Sequence, residues 1–105
     1  MKFLETHVFT RAVVQLLDEE EYRSLQLALL LRPGLGSVIR RSGGLRKVRW
    51  SMRGRGNSAG MRVIYFWDEP TETFYLLYAY PKNEQQDLTE QQLRVLGRLV
   101  REEFG

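Results

Sequence analysis

At 105 residues without a cysteine, the chain has the size of one domain, assigned to residues 1–105, and disulfides, thiolate metal sites and cysteine nucleophiles are excluded. A chain of this length buries roughly two-thirds of its unfolded surface, enough for one modest core. The formal net charge of +3 conceals a sorting: between Tyr22 and Trp67 there are ten Lys or Arg and no acid, while the flanks hold all 13 acids against six bases. Charge sorted in this way creates a local field that suits a phosphate backbone, anionic lipid or an acidic partner chain.

The first residues, MKFLETHVFT, lack the apolar run of a signal peptide or anchor. No window approaches the roughly 18 apolar residues of a spanning helix, so no membrane partner is expected and the cytoplasm is the expected compartment. Lys2 to Glu5 reads as a short strand. Val8, Phe9, Ala12, Val13, Leu16 and Leu17 then recur at helical spacing, which predicts a helix over Thr6 to Leu17. Asp18 restarts the pattern as an N-cap, with Glu21 three residues on as a capping box requires. Leu17 and Tyr22 hold the two positions of a hydrophobic staple, predicting a second helix from Glu19 to Leu31. Pro33 and Gly34 end it.

After Gly43-Gly44 the period becomes two. Val48, Trp50 and Met52 fall on one face of a strand, Lys47, Arg49, Ser51 and Arg53 on the other. GRGNSAG reads as a glycine-rich turn, and MRVIYFW and TFYLLYAYP as central strands apolar on both faces. Thr89 as N-cap, Gln92 at the capping-box position and a Leu88–Leu93 staple open a last helix that runs to about Glu103. The order β-α-α-β-β-β-α describes an α+β domain with helices packed on an antiparallel sheet.

The usual catalytic sets are missing. His7 is the single histidine, at the start of a predicted helix, and holds no metal by itself, so no metal site and no cofactor are expected. The turn is no P-loop, because it leads into a strand rather than a helix. Between Gly44 and Phe66, however, lie six cations and no carboxylate: Arg46, Lys47, Arg49, Arg53, Arg55 and Arg62. A strand charged only to discourage edge-to-edge association would be served as well by lysines, usually interspersed with acids. Arginine dominates here, and its planar fork suits phosphates and bases. RNA supplies its own nucleophile in the 2′-hydroxyl, so cations that align it and stabilise the pentacoordinate phosphorus provide most of what cleavage needs. A lysine crowded by arginines is a candidate base, and Tyr65, Tyr78 and Tyr80 on neighbouring strands can donate a proton or stack on a base.

GGLRKVRW, a glycine-rich basic loop, GMRVIYF, FYLLYAYPKNEQQDLT and a final amphipathic helix resemble the RelE/HigB superfamily of toxins of type II toxin–antitoxin systems, nearest to the HigB-like branch. The resemblance extends over nearly the whole chain. It implies a compact microbial RNase-like RelE fold with a twisted antiparallel sheet and ribosome-dependent cleavage of mRNA in the A site. Its partners would be the ribosome, mRNA and a cognate antitoxin. Lys47 and Arg49 match the paired strand cations that contact RNA and assist proton transfer, Arg62 the arginine on the scissile phosphate, and Lys82 the cation after the last strand. Arg46, Arg53, Arg55, Tyr80 and Asn83 complete the expected RNA contacts, with Asn83 where some relatives carry a second cation. Two other readings use the same features: a non-catalytic RNA- or ribosome-binding module, and a ParE-like toxin acting on gyrase.

Overall fold

The computed structural model describes residues 1–51 and 60–104. Met52, the predicted turn after it, and Arg53 and Arg55 lie outside the described residues. The element order is β1 Lys2–Glu5, α1 His7–Leu16, α2 Glu19–Leu31, β2 Ser37–Val38, β3 Arg46–Ser51, β4 Gly60–Asp68, β5 Thr73–Pro81 and α3 Glu90–Phe104. The strands form one sheet in the order β1-β5-β4-β3-β2, with helices on both faces. The α+β class is as read from the sequence, and two details differ. The sheet is mixed, because β1 runs parallel to β5 rather than antiparallel, and a fifth strand, β2, pairs with the start of β3. A strand of two residues is below any period-two signal. The direction of β1 is set by its pairing with β5, far along the chain, which sequence periodicity does not encode.

Local chemistry explains the helix starts. The Thr6 hydroxyl accepts from the Phe9 N–H at 3.0 Å and donates to the Leu77 carbonyl at 2.8 Å, so one residue caps α1 and ties it to β5. Asp18 and Glu21 form a reciprocal capping box on α2, and Leu17 and Tyr22 join the same apolar cluster, as a staple should. Thr89 and Gln92 repeat the box on α3, with bonds of 2.9 and 3.1 Å.

The core lies in two layers. Phe9, Val13, Leu25 and Leu29 of α1 and α2 pack with Val48, Val63, Tyr65, Phe74, Leu76 and Ala79 on one side of the sheet. On the other side Leu88, Leu93, Leu96 and Val100 pack over Leu45, Ile64, Leu77 and Tyr80. Between β4 and β5 the register slips: Tyr65 pairs with Leu76 while Ile64 pairs with Tyr78. The slip leaves Leu77 as the extra residue of a bulge. Both Leu77 and Tyr78 therefore join the α3-side cluster, whereas strict alternation would send one of them to the other face.

The turn that leads into β3 uses left-handed backbone at Gly43 (φ +78°) and Gly44 (φ +109°), with the buried Ser42 hydroxyl donating to the Ile39 carbonyl and accepting from the Leu45 N–H. On the opposite face Tyr65 pins the segment after α2. Its hydroxyl donates to the Pro33 carbonyl at 2.8 Å and accepts the Gly36 N–H at 2.9 Å.

Candidate nucleic-acid interface

Strand register assembles the site. Arg49 on β3 lies opposite Arg62 on β4, and Arg62 lies opposite Tyr80 on β5. One step along, Lys47, Ile64 and Tyr78 form a second row on the same face. Directly opposed residues of an antiparallel pair have Cβ atoms about 5 Å apart, so two arginines held there repel and favour an anion between them. Arg62 is 8% exposed, with Nη1 donating to the neighbouring Met61 carbonyl at 3.3 Å and a buried Nε that has no hydrogen-bond partner among the described residues. A buried, unsatisfied donor on a charged group is costly to folding, and an anionic oxygen is the partner it fits best.

The segment after β5 brings one carboxylate to these cations. The Lys82 N–H bonds the Gly60 carbonyl at 2.8 Å, extending the ladder, and the Glu84 N–H closes a turn onto Pro81. The Gln85 side-chain amide donates to the Asp87 carbonyl and to Gln92, which in turn donates to the Tyr78 hydroxyl at 3.3 Å. Held in this way, Asp87 accepts a 2.6 Å ion-paired hydrogen bond from Lys47. The bond and charge of Lys47, with lesser help from the Arg62 and Arg49 charges, hold the Asp87 carboxyl below its ordinary range. Tyr80 moves the other way: burial pushes its phenol up and Asp87 adds to the push, while Arg62 opposes both.

The face thus unites Lys47, Arg49 and Arg62, three of the four residues matched to catalysis, with Tyr80. Lys82 and Asn83 are exposed on the turn that follows, beside the first residue of β4. Tyr80 is only 1% exposed, so its ring forms a wall beside Arg62 rather than an open stacking face; Tyr78, half-buried and 5.6 Å from it between ring centroids, is the more accessible aromatic. Arg46 is not part of the group. Its guanidinium donates to the Gly36 carbonyl at 2.7 Å and braces the segment that Tyr65 also holds. Tyr65 likewise belongs to the opposite core, and His7 is exposed at the start of α1. Asp87 carries no signal of its own in the sequence: it lies forty residues from Lys47 in a segment that reads as polar loop. Among the described residues, no cluster of His, Cys, Asp or Glu is suited to a metal ion, and no helix is long and apolar enough to cross a membrane. No family model matches the chain.

Proposed function

We propose that the chain is a toxin of the RelE/HigB type: a ribosome-dependent mRNA endoribonuclease, acting in the cytoplasm and neutralised by a cognate antitoxin. The observation that carries this reading is the row Arg49–Arg62–Tyr80 beside Lys47, with its opposed guanidinium groups and the unsatisfied buried Nε of Arg62. In the reaction, the 2′-oxygen attacks the adjacent phosphorus and gives up its proton. The bond from phosphorus to the 5′-oxygen breaks and that oxygen takes a proton, leaving a 2′,3′-cyclic phosphate and a 5′-hydroxyl. Arg62 and Arg49 face the charge that develops on the phosphorane oxygens, Lys47 assists by stabilising the 2′-oxyanion, and Lys82 adds charge from the neighbouring turn.

The test is primer extension on a defined mRNA in a purified translation system, with and without ribosomes. Cuts within A-site codons that appear only with ribosomes are expected. Ribosomes that stall on uncut message would make the chain an RNA- or ribosome-binding module. Intact translation with impaired supercoiling by gyrase would make it a ParE-like toxin.

A further inference from the structure

The outer edge of β3 is covered for only part of its length. Strand β2 pairs with Lys47 and Arg46 and goes no further, and among the described residues no other strand covers Val48–Ser51. The Ile39 N–H bonds the Leu45 carbonyl. By the alternation of an antiparallel ladder, Lys47 and Arg49 turn their backbone groups to the same side as Leu45, so the N–H and C=O of Arg49 point to the open edge. At this notch lies a cavity of about 590 Å³. One wall is apolar and aromatic, from Leu35, Val38, Val48 and Trp50; the other is cationic, from Lys47 and Arg49. Among the described residues, no carboxylate lines it.

We propose that this notch is a nucleobase subsite for single-stranded RNA, holding a base next to the phosphate that lies on Arg49 and Arg62. The inference rests on the RNA-cleaving reading and extends it from phosphate to base. A nucleotide has the composition of the cavity: a flat apolar ring with polar edges, joined to an anion. Lys47 and Arg49 belong to both the notch and the phosphate row, and strand alternation turns Val48 and Trp50 to the other face, so an RNA chain that uses both walls wraps the open edge of β3. The Trp50 indole supplies a stacking partner, and the open N–H and C=O of Arg49 meet a donor–acceptor base edge. A protein strand added to this edge would need the backbone groups but neither of the two cations.

Replacing Trp67 by Phe leaves Trp50 as the sole tryptophan, and its emission then reports on the notch. The probes are a 2′-O-methyl oligonucleotide, which cannot be cleaved, and an abasic oligonucleotide of equal length, with binding followed in parallel by anisotropy. Saturable quenching by the first, binding without quenching by the second, and about tenfold weaker binding of the first to a Trp50→Leu variant are expected, the loss matching one base–aromatic stack. Equal quenching by both probes, or binding of the first without quenching, would overturn the subsite and leave the RNA reading standing. Binding of neither would overturn the subsite, and cleavage on ribosomes then decides the RNA reading by itself. Emission that changes with protein concentration alone, and with no probe, would make the edge a contact between copies and overturn the subsite.

Discussion

Replacing Asp87 by Asn removes the one carboxylate shown against the cationic row and keeps the shape of the side chain. In the free protein this carboxylate occupies Lys47 at 2.6 Å, so a phosphate must displace it to reach the lysine. The Asp87 side chain is 72% exposed, and exposed ion pairs contribute only about 0.2–1 kcal/mol. At about 1.4 kcal/mol per factor of ten, relief of that competition tightens binding of single-stranded RNA by up to about fivefold. Freeing one cation for phosphate contact also steepens the dependence of log affinity on log salt by up to about 0.7. Anisotropy of a labelled RNA across a salt series measures both quantities. Because the Asp87 carboxyl is held below its ordinary range, wild-type affinity should stay flat through the usual carboxylate range and rise only as pH falls through that lowered value. The pair's contribution to folding has the matching sign: present above the unfolded carboxyl pKa of about 4, it is lost as pH falls through the folded one. Weaker RNA binding by the Asn variant, or unchanged affinity with an unchanged slope, would refute the competition.

Three further outcomes follow from the packing. Tyr65→Phe strands the Pro33 carbonyl and Gly36 N–H and should cost about 1–3 kcal/mol in urea unfolding, with no loss on mutation meaning that the segment is held by other contacts. Gly36→Ala would set a Cβ 2.9 Å from both the Lys47 carbonyl and the Tyr65 ring, and about 1–3 kcal/mol of destabilisation is expected in the same assay. Burial and the hydrogen bond to Glu5 push the Tyr22 phenol well above its ordinary value of 10.0, so its contribution is complete below pH 10.0 and fades as pH rises beyond it. Thermal unfolding of wild type should therefore fall off above that pH, and more gently in Tyr22→Phe; parallel curves would contradict the assignment.

Most of the fold was legible because its signals are local. Asp18 with Glu21, and Thr89 with Gln92, specify helix starts within four residues, and the alternation from Arg46 to Ser51 specifies a half-buried strand. What escaped depends on long-range pairing. The parallel pairing of β1 with β5 and the bulge at Leu77 are long-range features of the sheet, and nothing within a short window encodes either. The site divides in the same way. Lys47, Arg49 and Arg62 stood out by charge, and register brings them together. Arg46 carries the same charge one residue away, and strand alternation turns it to the other face, where two carbonyls already claim it. Asp87 reaches Lys47 only through a network centred on Gln85 and Gln92, whose capping role was visible while its consequence forty residues upstream was not.

The most direct test of the central claim is the single-turnover rate of A-site mRNA cleavage by wild type and by Arg62→Ala on programmed ribosomes, with circular dichroism confirming that both are folded. A transition-state stabiliser of this kind contributes about 10²–10³ in rate, so a fall of that size with ribosome binding retained is the predicted result. Equal rates for the two proteins, or no cleavage by either, would contradict the account.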